Sequence, residues 1–392
     1  MSTPNIQTCD ALLAAMVSFD TVSRCVSHRP EAERALAEFL DEYARSLGLR
    51  TRRLAVAGAG FNLLVTLPTP VDAPTLLFVS HLDTVGVEGM TIDPFKVKVS
   101  DGRMHGRGTC DTKGSGAAML WAMARYHRER PDGNNVALLF SLDEEMGKLG
   151  IDSFVRHDMN TLPSKPAGAV VGEPTLLRPV VAHNGLVRWS IRTKGVAAHS
   201  SDPTRGRSAI SMMARVIVEL ETRYIPSLTA VHPLTGKAQC SLNVIRGGEA
   251  INVIPESCEI KVDRRTVPGE DQSKIIPTVD AHLDTLRAAD PTLQVLHGEP
   301  FFDPSLDPAG NESYISLVQR VLRANQLDDT AIGAPYGTEA SNLSNAGVPA
   351  VVLGPGDIAQ AHSADEWIAL DQLNRAIEVY YALMCERLEG SG

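Results

Sequence analysis

Apolar residues recur at helical spacing from Thr8 to Val17 and again from about Glu31 to Leu47, where Gly48 ends the pattern, so two amphipathic covering helices are predicted first. The period then changes. Alternating or continuous apolar runs at Thr51 to Val56, Asn62 to Leu67 and Thr75 to Ser80 predict strands, and the last leads directly into His81-Leu82-Asp83-Thr84-Val85. A helix is predicted from Gly116 to about Arg128, then a strand from Val136 to Leu142 that runs into Asp143-Glu144-Glu145. The pattern returns where Ala167 to Val171 precedes Gly172-Glu173-Pro174. Sheets of α/β proteins place their sites past the carboxyl ends of buried strands, so His and carboxylates at successive strand ends point to one shared edge.

The character changes around Ala182 to Leu186. Strands at Val187 to Thr193, Cys240 to Ile245 and Cys258 to Asp263 are separated by long helices at about Gly206 to Tyr224 and Asp271 to Ala289, with a last strand after the second helix. That order predicts an α+β sandwich inserted into the first domain. Its expected end is near Gly298, where Pro300, Pro304 and Pro308 read as a linker. A helix from about Glu312 to Ala324, a strand from Pro349 to Leu353, a loop from Gly354 to Ser363 and a helix from Asp371 to Leu388 then resume the α/β style. The expected class is α/β, a mixed central sheet flanked by helices with an inserted α+β domain. The expected bounds are 1–184, 185–298 and 299–392. No internal repeat or low-complexity segment is present.

Composition narrows the picture. At 392 residues the chain is too long for one ordinary core. A formal net charge of -10 and the lack of long basic runs argue against a nucleic-acid partner. Cys9, Cys25, Cys110, Cys240, Cys258 and Cys385 show no C-x-x-C pairing, which fits reduced thiols in a cytoplasmic protein. Met1 to Ser23 lacks the basic and apolar regions of a secretion signal, and no stretch approaches the ~20 apolar residues of a membrane span.

The stretch from Gly106 to Gly116 sets one acid, Asp111, among glycines before a helix. Neither G-x-x-x-x-G-K-[ST] nor G-x-G-x-x-G threads through it, which removes the phosphate-loop reading and with it a nucleotide-dependent transferase. The glycines would instead let backbone crowd around a carboxylate that points into a cleft. With His81, Asp83, Glu144, Glu145, Glu173 and His362, Asp111 makes a mixed imidazole and carboxylate set suited to zinc, cobalt or manganese. Asp111 could bridge two ions about 3.5–4 Å apart, with His81 and Glu173 completing one site and Glu145 and His362 the other. Two dications bring +4 against -3 from Asp111, Glu145 and Glu173, leaving one charge for a bridging hydroxide. Glu144 is then free to act as general base, and Asp83 suits the carboxylate that fixes the His81 tautomer. Taken singly, each of these residues is as readily an ordinary surface or hydrogen-bonded polar group; the repeated strand-end pattern is what argues for a site.

His81-Leu82-Asp83-Thr84-Val85, Gly108 to Gly114, Asp143-Glu144-Glu145, Gly172-Glu173-Pro174-Thr175 and Ala361-His362 resemble the metal motifs of the dinuclear zinc aminoacylase and exopeptidase family. That family includes acetylornithine deacetylase, succinyl-diaminopimelate desuccinylase and glutamate-releasing carboxypeptidases. The resemblance covers nearly the whole chain and is strongest to the acetylornithine deacetylases, through His199-Ser200-Ser201-Asp202-Pro203, Tyr336 to Ala340 and Val352-Leu353-Gly354-Pro355-Gly356.

The resemblance implies two zinc ions (cobalt as a substitute) on His81, Asp111, Glu145, Glu173 and His362, with metal-bound hydroxide attacking an amide and Glu144 as general base. It implies a cis peptide after Asp111, a lid that is also a homodimerisation domain, and a small N-acyl-L-amino acid as substrate, of N-acetylornithine type. A place in arginine biosynthesis goes with that substrate. A succinyl-amino acid or a dipeptide of carboxypeptidase type is the alternative. His199 matches the family's oxyanion histidine or is simply a turn histidine. Arg265 matches the arginine for the substrate α-carboxylate, and Asn252, Gly337 and Thr338 match further polar contacts. Glu339 either attracts a substrate ammonium or complements a helix dipole. Cys110, Thr112 and Asn184 depart from the usual family residues, and a thiol at Cys110 is expected to make the metal-free protein prone to oxidation. A non-catalytic binding homologue would be expected to have lost ligands or the base, and none is lost.

Overall fold

The computed structural model describes residues 6–67 and 72–388. Residues 1–5, 68–71 and 389–392, which the expected domain bounds include, lie outside the described residues. The chain divides into two compact units, one of Met1–Val181, Pro308–Ile332 and Thr338–Gly392, the other of Ala182–Asp307 and Gly333–Gly337.

The first unit holds six whole strands of an eight-stranded sheet, in the spatial order Arg50–Val56, Gly60–Thr66, Asn135–Ser141, Thr75–His81, Pro166–Val171 and Ala350–Val352; the last two strands, Val180–His183 and Ile332–Ala334, run past its bounds at Val181 and Ile332. Thr75–His81 runs parallel to both its neighbours, and Ala350–Val352 runs parallel to Pro166–Val171. These four strands are continuous apolar runs because helices cover the sheet and bury them on both faces. The helices Cys9–Val17, Lys113–Glu129, Glu312–Ala324 and Leu370–Cys385 share one core with the sheet, where Leu12, Met119, Phe78, Val318 and Tyr380 are buried together. The predicted mixed α/β class is the one observed.

Two of the glycines around Asp111 have a different task from the one expected. Gly108, at φ +83°, does make the tight turn. The helix, however, starts at Lys113 rather than Gly116, so Gly114 and Gly116 lie within it. A Cβ at Gly116 would lie 2.8 Å from Ser80 Oγ and 2.9 Å from Phe140. The missing side chain at Gly116 lets the helix press onto the strand that ends in His81, while Gly114 makes room for Ile368 and the Thr109 carbonyl.

The second unit has a sheet ordered Gln239–Gly247, Ser257–Thr266, Gly185–Lys194 and Gln294–His297, with helices Ala209–Glu219 and Ile275–Ala289 burying Met213, Val216, Val279 and Leu283 against it. Ser208 caps the first of these helices by accepting from Ser211 N–H at 3.2 Å. The segment Pro300 to Pro308, read as a linker, instead contains the strand Phe301–Asp303, which pairs with Leu186 to Arg188. Its prolines flank the strand, so every ladder position keeps an N–H, and the unit runs to Asp307. Among the described residues no helix is long and apolar enough to cross a membrane.

Candidate metal centre

His81 is the last residue of its strand and lies opposite Ser141, while Val79 lies opposite Val171. The three strands therefore release Leu82-Asp83, Leu142 to Glu145 and Gly172-Glu173 at the same edge. Asp111 arrives from the loop before the helix Lys113–Glu129, and the peptide Asp111–Thr112 is cis, as the resemblance implied. Thr112 Oγ1 donates to the carbonyl of Gly172, tying this loop to the one that carries Glu173. Asp143 (φ +62°) and His362 (φ +61°) turn the chain through the left-handed region, which Asp and His enter more readily than most residues.

The donor atoms converge. His81 Nε2 lies 3.1 Å from Asp111 Oδ1 and 3.9 Å from Glu173 Oε1. His362 Nε2 lies 3.3 Å from Asp111 Oδ2 and 3.2 Å from Glu145 Oε2. One ligand atom each from His81, Asp111 and Glu145 all fall within 4.8 Å of one another. Asp111 thus turns a different oxygen to each histidine, and each histidine has a second carboxylate beside it. Glu145 Oε1 is buried without a hydrogen-bond partner. Two imidazoles and three carboxylates with no thiolate among them suit a borderline divalent ion, so this donor set fits the implied metals.

Asp83 does more than expected of it. His81 Nδ1 makes its close contact, 3.0 Å, with the Asp83 carbonyl oxygen, which leaves Nε2 to face Asp111. The Asp83 carboxylate, 3.5 Å from Nδ1, accepts instead from the backbone N–H groups of Glu144 at 3.0 Å and Glu145 at 3.1 Å. One residue therefore orients the first histidine and holds the loop of the proposed base. Glu144 lies close by, its Oε1 3.7 Å from Lys148 Nζ.

Without bound metal the cluster is strongly perturbed. Burial works to lower the His81 pKa, but hydrogen bonds to Asp111 and Asp83 outweigh it and leave the ring well above its usual 6.5. Hydrogen bonds to Asp111 and Glu145 push His362 up to about 10. Burial works to raise Asp111, but hydrogen bonds from both histidines outweigh it and hold the carboxyl below its usual range, whereas burial raises Glu173 and Glu145 and carries Glu144 to about 8.

Below the folded pKa of about 10, His362 carries a proton that any cation must displace, so metal uptake at neutral pH releases protons and its apparent affinity rises with pH. The same pairing stabilises the metal-free fold fully below pH 6.5 and is lost as pH rises through about 10. Zinc titration calorimetry in buffers of different ionisation enthalpy checks this. Equal heats across buffers would contradict it.

Several residues escape sequence reasoning. Glu366 is fully buried and accepts from the backbone N–H groups of Gly108 (3.0 Å), Cys110 (2.8 Å) and Asp111 (3.0 Å), and from Arg107 Nη1 at 2.7 Å. Buried Lys113 donates to the Phe19 carbonyl at 3.0 Å. Glu339 precedes the short helix Ala340–Asn345, but it is fully buried, accepts from Ser141 Oγ at 2.8 Å and is held by burial at about 7. Cys110 corrects an expectation. Its thiol is buried and donates to the Asp357 carbonyl at 3.4 Å, and burial pushes its pKa up, so it lacks the exposed thiolate that oxidation needs. All six cysteines are free.

The remaining candidates belong to the second unit, except Thr338, whose hydroxyl accepts from Ala340 N–H at 3.2 Å. His199 ends the short strand Ala198–His199, which pairs with Val253–Ile254, and Ser201 N–H donates to its Nδ1 at 3.2 Å, which leaves Nε2 as the donor in the neutral ring. Arg265 is gripped by Asp263, through Nε at 2.6 Å and Nη2 at 3.3 Å. The Asn252 carbonyl accepts from Ser200 N–H at 3.0 Å, and Gly337 lies in the short second segment of this unit.

Residues 77–386 match peptidase family M20/M25/M40. An acetylornithine deacetylase from Pasteurella multocida (strain Pm70) is 30% identical over 387 residues, covering 95% of this chain and 96% of that one. A tripeptidase structure from Staphylococcus aureus superposes with a TM-score of 0.77 at 20% identity, covering 96% and 97% of the two chains. A Bacillus subtilis structure described as a dinuclear metal binding peptidase gives 0.70 at 15% identity, covering 96% and 98%. The chain therefore belongs to peptidase family M20/M25/M40 and is a hydrolase acting on amide bonds.

Proposed function

We propose that the protein is a dinuclear metal-dependent amidohydrolase that removes the acyl group from an N-acyl-L-amino acid of N-acetylornithine type. The observation that carries this reading is the placement of Asp111, whose two oxygens face two different histidines, each with its own second carboxylate. His81 and Glu173 would hold one ion, His362 and Glu145 the other, with Asp111 shared. Zinc or cobalt bound there supplies Lewis acidity, polarising the amide carbonyl and making a water nucleophilic near neutral pH.

The chain's own groups supply the rest. In the metal-free protein burial raises the Glu144 carboxyl to about 8, and two cations beside it would lower that value toward the range in which one group can both accept a proton from water and return it to the leaving amine. Asp83 fixes the backbone at Glu144 and Glu145, so the base does not drift relative to its neighbour. In this reading Arg265 takes the substrate α-carboxylate and His199 the oxyanion, with Asn252, Gly337 and Thr338 as further polar contacts. Glu339, buried and already bonded to Ser141, supports the site from within.

The deacetylase relative supports the acyl choice. Rates on N-acetyl, N-succinyl and N-formyl amino acids and on dipeptides test it directly. N-acetyl substrates with a basic side chain should give the highest kcat/KM, and a dipeptide or succinyl preference would overturn the substrate assignment while leaving the amide chemistry in place.

A further inference from the structure

We propose that Glu366 is a positioning residue that pre-sets the distance between the shared ligand Asp111 and the ligand His362, and thereby the affinity of both metal sites. This rests on the dinuclear reading above. Two ligands that must meet a pair of ions come from loops 251 positions apart (362 − 111), and side-chain contacts among charged ligands cannot by themselves hold such loops in register. Glu366 joins them.

It lies four positions after His362 (366 − 362), next to the strand Trp367–Ala369, which pairs with Arg103–His105 in a small sheet. Its two oxygens are divided over the loop that leads to Asp111. Oε1 accepts from Cys110 N–H at 2.8 Å and Asp111 N–H at 3.0 Å, and Oε2 accepts from Gly108 N–H at 3.0 Å and Arg107 Nη1 at 2.7 Å. Gly106 N–H donates to the Glu366 carbonyl at 3.0 Å, which fastens the two backbones as well. All four side-chain contacts are donors aimed at one carboxylate, and its buried charge is answered by Arg107.

The arrangement is specific to a carboxylate. A glutamine of the same size would turn its NH2 toward at least two N–H donors and lose the ion pair with Arg107. The Asp111 loop would then relax away from the position in which its oxygens face His81 and His362. An aspartate keeps the charge but is one methylene shorter, so it recovers part of the contact.

Zinc titration calorimetry and the Co(II) absorption spectrum of Glu366→Gln and Glu366→Asp, measured per folded chain, test this. Glu366→Gln should bind both ions about 10–100-fold more weakly with a changed Co(II) spectrum, and Glu366→Asp should lie between it and the parent. A merely structural role would lower the melting temperature and leave the affinity and spectrum of the folded fraction unchanged, and that result overturns the inference. Should neither variant fold, hydrogen exchange on the parent protein without metal decides: the amides of Gly108, Cys110 and Asp111 should be protected, and free exchange overturns the inference. Parent protein that binds no divalent cation would overturn the dinuclear reading and this inference together, whereas equal affinities of parent and variants would overturn the inference alone.

Discussion

Replacing Glu144 by glutamine is expected to lower kcat by about 10²–10⁴-fold, the range that a positioned general acid–base contributes. Its metal content should stay at the parent level. The close donors are His81, Asp111 and Glu145 with Glu173 and His362, and Glu144 is not among them. The substitution also leaves the loop in place, because the Glu144 backbone N–H is held by Asp83 at 3.0 Å, while its side chain adds the longer 3.7 Å approach to Lys148. Turnover and metal stoichiometry measured on the same preparation separate the two effects. Substantial residual kcat with full metal would remove Glu144 from the mechanism, and loss of metal would make it a ligand.

Asp111→Asn is expected to have the largest effect on metal binding. Asp111 turns one oxygen to each histidine, at 3.1 and 3.3 Å, so its loss weakens both sites at once. An asparagine also lacks the charge, and it must turn an NH2 toward one of the two positions. Affinity at both sites should fall by more than the about 10–100-fold typical of an outer-sphere change. Glu173→Gln provides the contrast, since of the two histidines Glu173 approaches His81, at 3.9 Å, and its change should weaken one ion more than the other. Equal losses from the two substitutions, read by competitive titration with a chromogenic chelator, would remove the bridging role from Asp111.

The sheet and its carboxyl edge were legible because burial on both faces forces uninterrupted apolar runs. Thr75 to Ser80 and Val136 to Leu142 mark their own ends where charge begins. His81 and the acids of Asp143-Glu144-Glu145 could be placed at one edge for the same reason. Glu366 could not be found this way. Three of its four side-chain partners are backbone N–H groups 255 to 258 positions away, which have no residue-type signature. The helix start was misplaced by the glycines, since Gly114 and Gly116 read as turn residues but lie inside the helix, Gly116 against Ser80 and Phe140 of the sheet and Gly114 against the Thr109 carbonyl. Pro300, Pro304 and Pro308 misled in the same manner, because a proline beside a strand and a proline in a linker look alike until the partner strand is known. Glu339, read either as a contact for a substrate ammonium or as a helix-end acid, is buried against Ser141, which neither reading foresaw. Cys110 looked reactive by its neighbours, and only burial shows that it is not.

The account turns on a pair of ions shared by Asp111. Metal content of the purified protein by plasma mass spectrometry, with hydrolysis of an N-acetyl amino acid followed through chelation and reloading, tests it most directly. The predicted result is about two equivalents of zinc or cobalt per chain at full activity, with activity lost on chelation and restored as the metal returns. Full hydrolysis by chelated, metal-free protein would contradict it.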